Sequence, residues 1–185
     1  METECRNSEF EAPDWSTRIA TVTAEADSER GATHLGRSIG GLLRLVREQL
    51  DLEVVFVGEF VEGRRVFRHV SATPASSAIV EVGQSHALDA TVCNRIVEGS
   101  MPNVLPSVAR VRTEFGLPPV YDMFGGYIGV PVRFLDGSLY GVLCGFSFTA
   151  REQLNERDVR RLEMAANAAA RLLAQAQGLD IAPTV

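Results

Sequence analysis

Residues 127–148 read YIGVPVRFLDGSLYGVLCGFSF. β-Branched and aromatic residues flank Asp136-Gly137, a dipeptide suited to closing a tight antiparallel hairpin. The stretch therefore predicts two long paired strands. Pro131, inside the first of them, implies a sheet edge, a bulge or a position whose N–H is not needed. Side chains alternate along a strand, so Tyr127, Gly129, Pro131 and Arg133 share one face. Which face turns inward is not set by the sequence.

The segment that follows, NERDVRRLEMAANAAARLLAQAQG (155–178), has helical texture. Asn155 is a candidate N-cap, and Asp158 places negative charge in the first turn, where the helix dipole favours it. Val159, Leu162, Ala166, Ala169, Leu173 and Ala176 form one apolar stripe. Met164, Ala165, Ala168 and Leu172 form a second. Two apolar faces need two covers: the sheet, and a helix from residues 14–50 or from a second subunit. This helix is the expected dimer surface.

Upstream, LEVVFVGEF (52–60) and RRVFRHVSA (64–72) flank VEGR and predict a second hairpin. Before it, THLGRSIGGLLRLVREQL (33–50) carries Leu35, Ile39, Leu42, Leu43, Val46 and Leu50 on one helical face. Gly36 and Gly40 weaken that helix but would permit close packing on a sheet. DWSTRIATVTAEADSER (14–30) spaces Trp15, Ile19, Val22 and Ala26 as a further helix, with Asp14 as a candidate N-cap. Between the hairpins lie the loop TPASSAIVEVGQSHA (73–87), a short helix and strand in DATVCNRIVEGSMPNVLPSV (89–108), and the irregular RTEFGLPPVYDMFGG (112–126). The expected organisation is a disordered tail at 1–12, a helical extension at 13–31, one domain at 32–178 and a disordered end at 179–185.

Of 185 residues, 45% are hydrophobic and 23% charged, with net charge −6, so a sizeable core is expected and a nucleic-acid surface is not. The sparse cysteines Cys5, Cys93 and Cys144 lack CxxC spacing, which suggests reduced thiols in a cytoplasm. The acidic N-terminus has no apolar core of a signal peptide, and no run is long enough to span a membrane.

Helix, hairpin, irregular insertion, hairpin, helix is an α+β order around an antiparallel sheet. The 127–147 hairpin, with its V-P-V strand and G-V-L strand, is followed by FTAREQLNERDVRRLEMAANAAARLL (148–173). Together they resemble the C-terminal half of a GAF domain, and VCNRIVEGSMPNVLPSV (92–108) resembles that family's central helix and next strand. The resemblance covers roughly residues 33–175. It implies a GAF/PAS-like antiparallel sheet of five or six strands, with the N- and C-terminal helices on one face and a ligand chamber on the other. Residues 78–125 would roof that chamber, and the long hairpin would floor it. Candidate ligand-binding residues are Cys93, Tyr121, Asp122, Phe124, Tyr127 and Arg133.

Cys93 has two readings. With Asp89 as N-cap it would fall near the first turn of a helix, where the dipole favours a thiolate. As an unpaired cysteine it is equally a small buried hydrophobe. Tyr121, Phe124 and Tyr127 form either a ring-stacking pocket or core under a loop. Arg133 either meets an anionic ligand or is solvated. His34, His69 and His86 stand at no metal-ligand spacing and are read as structural or solvent-facing. No metal is expected and no cofactor is named; haem through His86 has nothing further to support it. G-x-S-x-G and GxxxxGK[ST] are both missing.

The resemblance implies a standalone sensory or regulatory domain, like those attached to cyclic-di-GMP enzymes and histidine kinases in bacteria. It would bind an unidentified small molecule or sense redox state, and signal through its terminal helices to a partner protein or within a homodimer. An enzymatic alternative is a thiol enzyme resembling the free methionine-(R)-sulfoxide reductases, with Cys93 catalytic. Residues 109–135, where that lineage carries a further cysteine, contain none. That leaves Cys144, whose reach the sequence does not set, and Cys5 in the tail. A third alternative is a ligand-free interaction module.

Overall fold

The computed structural model describes residues 14–24 and 32–179. Cys5, residue 13, residues 25–31 of the expected extension, the 1–12 tail and all but Leu179 of the C-terminal end lie outside the described residues. The stripe of residues 35–50 builds α2 (Ala32–Gln49), in which Ile39, Leu42, Leu43 and Val46 are fully buried. Each such side chain contributes about 1.5–3 kcal/mol of burial free energy. Gly36 and Gly40 are not tight-packing sites, because a Cβ at either would meet nothing within 4 Å. Gly36→Ala and Gly40→Ala are therefore each expected to stabilise the protein by about 0.5–1 kcal/mol, read from the urea unfolding midpoint.

Strands β1 (Val54–Val61) and β2 (Arg64–Ala72) form the first hairpin. It closes at Glu62 and Gly63, whose φ values of 51° and 71° fit a type I′ turn. β3 (Ser85–Ala87) and β4 (Val104–Leu105) are short edge strands, and β5 (Tyr127–Arg133) and β6 (Leu139–Phe146) make the hairpin around Gly137. The six antiparallel strands run β3-β2-β1-β6-β5-β4, so the two hairpins join along a central β1–β6 seam. Gly129 donates its N–H to Asn103 O on the β4 side. Two residues on, Pro131 turns the same way where β4 has ended, which is how a proline is tolerated there.

Alternation divides the sheet into two cores. Val55, Val57, Ile128, Val130, Val132 and Leu143 face the helices α1 (Trp15–Ala24), α2 and α5 (Glu156–Ala176). α5 begins with a capping box between Asn155 and Asp158. Its second stripe, expected to need a cover, receives it within the chain. Ala165, Ala168 and Leu172 are buried among α1 and α2, Trp15 Nε1 donates to Arg161 O at 2.9 Å, and only Met164 of that stripe stays exposed. The opposite face carries Val54, Phe56, Phe67, Tyr127, Val142, Cys144 and Phe146. α3 (Val92–Val97), the single turn α4 (Val108–Val111) and a 3-10 turn at Pro119–Met123 cover it.

Candidate functional site

A bulge in the first hairpin begins the site. Val57 pairs with His69 and Gly58 with Phe67, so Arg68 is the extra residue. Positions 67 and 69 would otherwise share a face. The bulge sends Phe67, and with it Arg65, to the face opposite the helices. Gly58 makes this possible, since a Cβ there would lie 2.9 Å from Arg65 Cγ. The aliphatic stem of Arg65 thus lies against the β1 backbone. Its guanidinium sits over the rings of Phe56 and Phe67, 5.2 Å and 4.3 Å from their centroids.

Arg65 is only 6% exposed, and among the described residues it makes no ion pair with a carboxylate. Its Nη1 donates to Cys93 Sγ at 3.1 Å. Its Nη2 lies 2.9 Å from Nδ1 of His86, its partner across β2–β3. Burial and the Arg65 and Arg64 charges lower the His86 pKa, so the ring is neutral at pH 7 and Nδ1 accepts. Arg65 Nε is buried without a hydrogen-bond partner.

Cys93 is completely buried on α3, whose N-cap is Thr91 rather than Asp89. The Thr91 side chain accepts from the Asn94 N–H, and Asp89 belongs to the preceding 3-10 turn. Three groups converge on its sulfur: Arg65, the Tyr127 hydroxyl at 3.0 Å, and Cys144 Sγ at 3.6 Å, which donates. Cys144, on β6, does therefore reach Cys93. Space for it comes from Gly129, where a Cβ would stand 2.6 Å from the Cys144 sulfur. Burial pushes the Cys93 thiol up. The hydrogen bond from Cys144, the Arg65 charge, and the hydrogen bonds from Tyr127 and Arg65 outweigh it and bring the pKa down to about 6. Burial and the bond to Cys93 push Cys144 well up. The pair is thus one thiolate and one thiol, the division needed for a nucleophile and a proton-bearing partner. These side chains act on a sulfur carried at the second position of α3.

Of the other expected residues, Tyr121 and Tyr127 join this cluster. The Tyr121 hydroxyl accepts from the Val92 N–H at 2.9 Å and so anchors the start of α3. Burial, and then the Cys93 charge, raise its pKa to about 12. Phe124 packs its ring on Phe146 at 4.4 Å and is a wall of the cluster. Asp122 is separate from it: it is exposed and pairs with Arg112. Arg133 is separate too, exposed beyond a second register shift, with Nη1 donating to Gly137 O at 3.3 Å. Sequence reasoning missed Arg65, the residue that organises the site. The pairing of an arginine with inward Phe67 two positions later was the available signal. His86 remains solvent-facing yet supplies an acceptor.

A family model described as GAF domain matches residues 39–174. No match emerged among curated protein sequences. Solved structures with a similar fold include the GAF domain of an Acinetobacter phosphoenolpyruvate-protein phosphotransferase, at 16% identity and TM-score 0.67, covering 91% of this chain and 96% of that one. The free methionine-R-sulfoxide reductase of Neisseria meningitidis, with its substrate, matches at 15% identity and TM-score 0.67, covering 91% and 96%. The phycoerythrobilin-bound GAF domain of a cyanobacterial phytochrome matches at 16% identity and TM-score 0.64, covering 90% and 97%. At these identities the likeness concerns the fold.

Proposed function

The chain belongs to the GAF domain family, commonly small-molecule sensors, and from that premise we propose that it is a sensory domain whose responding element is the Cys93–Cys144 dithiol. The observation that carries this reading is the approach of the two sulfurs to 3.6 Å, with Arg65 Nη1 3.1 Å from Cys93 Sγ. Both sulfurs are fully buried, so the oxidant that suits them is small: hydrogen peroxide, admitted as α3 fluctuates. The Cys93 thiolate attacks one peroxide oxygen, the O–O bond breaks, and the departing hydroxide takes a proton to become water. Cys93 is then a sulfenic acid. The Cys144 sulfur attacks it, the S–S bond forms, and the sulfenic oxygen leaves with the Cys144 proton as a second water. The sulfurs must close from 3.6 Å to about 2.05 Å, drawing α3 towards β6. Output passes through the terminal helices to a second copy or a partner protein in a reducing bacterial cytoplasm.

The test is mass spectrometry of the denatured protein after peroxide treatment and alkylation. The expected result is a Cys93–Cys144 disulfide, and in Cys144→Ser a trapped sulfenic acid at Cys93. Both thiols remaining fully alkylatable after prolonged peroxide exposure would sink the proposal.

The proximity of Cys144 also favours a second reading, because it supplies the resolving thiol that an enzyme like the free methionine-(R)-sulfoxide reductases needs. Turnover of free methionine-(R)-sulfoxide with dithiothreitol, abolished by Cys93→Ser, would establish it; no turnover would leave the sensor.

A further inference from the structure

A guanidinium buried among aromatic rings needs an anion, and among the described residues the only anion offered to Arg65 is one sulfur. Arg65 has five N–H bonds; one meets Cys93, one meets neutral His86, and the Nε–H, at a residue 6% exposed, meets nothing. A buried donor left unpaired is unfavourable, and a buried cation without an anion much more so. A single sulfur cannot answer a planar fork, whereas the two oxygens of a carboxylate can accept from Nε–H and an Nη–H together. We infer that Arg65 is the anchor of a binding site for a small carboxylate, and that the Cys93 thiolate is its built-in competitor.

The remaining polar groups around the guanidinium fit this assignment. His86, Tyr121, Tyr127 and Cys144 are all uncharged at pH 7, so none competes for the cation. Any event that removes the negative charge from Cys93, whether protonation, alkylation or a disulfide, leaves Arg65 without a counter-ion and the site open to the carboxylate. Coupling of this kind is reciprocal: a bound carboxylate favours the uncharged states of Cys93 by the same factor. The inference goes beyond the redox reading: it rests on Arg65 and the charge on Cys93, and needs no disulfide.

Sodium formate is the probe, titrated at constant ionic strength and pH 7 against three reduced proteins: wild type, Cys93→Ser and Cys93→Ser/Arg65→Met. Binding is read as a saturable rise in melting temperature. With the Cys93 pKa brought down to about 6, the thiolate predominates at that pH, so wild type is expected to bind formate severalfold more weakly than Cys93→Ser. The double variant is expected to show no saturable response, which separates the Arg65 site from general salt effects. Equal responses in all three, or no saturable response in Cys93→Ser, would overturn the inference. Should Cys93→Ser fold poorly, Cys93→Ala serves the same comparison. Because neither variant can form the Cys93–Cys144 disulfide, failure here leaves the redox reading intact, and failure of the peroxide experiment leaves this one intact.

Discussion

Replacing Arg65 by methionine is expected to return Cys93 to the behaviour of an ordinary buried thiol, slowing its alkylation at pH 7 by on the order of tenfold or more. Burial opposes the thiolate; the Cys144 and Tyr127 hydrogen bonds favour it, and Arg65 adds both a charge and a hydrogen bond. Methionine retains the apolar stem against Gly58 and the two rings while deleting both electrostatic contributions. The same variant has a pH signature. The Cys93 pKa falls from 9.0 to about 6 in the folded protein, so between those values the unfolded chain holds more protons than the folded one. Stability of the reduced wild type is then expected to rise with pH across that window, with a slope of up to about 1.4 kcal/mol per pH unit, and to lose this contribution as pH falls through about 6. Arg65→Met is expected to flatten the rise, and below the window to be as stable as wild type or more so, because the arginine there has no anion. Urea denaturation at three pH values, with thiolate absorbance alongside, measures both effects. An unchanged Cys93 titration would show that Arg65 does not hold the thiolate.

Gly141→Ala is expected to cost about 3 kcal/mol or more. A Cβ at Gly141 would stand 1.9 Å from Gly58 O, 2.9 Å from Gly58 C and 3.0 Å from Glu59 Cα. All three are backbone atoms of β1, so no side-chain rotation relieves the collision, and the β1–β6 seam itself must open. β6 carries Cys144 three residues on, so the variant is also expected to disturb the sulfur pair. Urea unfolding measures the loss; a loss below about 1 kcal/mol would mean that the seam accommodates a side chain.

Much of the scaffold was legible because its signals are local. Asp136-Gly137 and the VEGR turn specify their hairpins within four residues. Asn155 and Asp158 specify where α5 begins, and the α2 stripe specifies what that helix buries. The site was legible only in part, since it depends on features that period two cannot carry. The Arg68 bulge decides that Arg65 turns inward while His69 turns to the helix side. A second shift, in which Tyr140 of β6 is the extra residue, falls beside Arg133, which lies exposed at the turn end of β5. The meeting of Cys93 with Cys144 depends on β6 occupying the centre of the sheet beneath α3, a matter of strand order. Likewise, the second stripe of α5 was correctly read as needing a cover, but only the packing shows α1 and α2 supplying it.

The strand order also has a consequence for how the chain acquires its chemistry. Each hairpin closes over a short loop and can form early, but the seam between them pairs Val54 with Phe146 and must bring together distant parts of the chain. Arg65 belongs to the first hairpin and Cys144 to the second, with Cys93 between them in sequence. Until the seam closes, Cys93 therefore cannot have both its cation and its sulfur partner. Its thiolate is then less favoured than in the folded domain, where both act together. The full set of contacts around Cys93 thus forms only with the long-range pairing of β1 and β6, so on the redox reading the chain gains its response with that step.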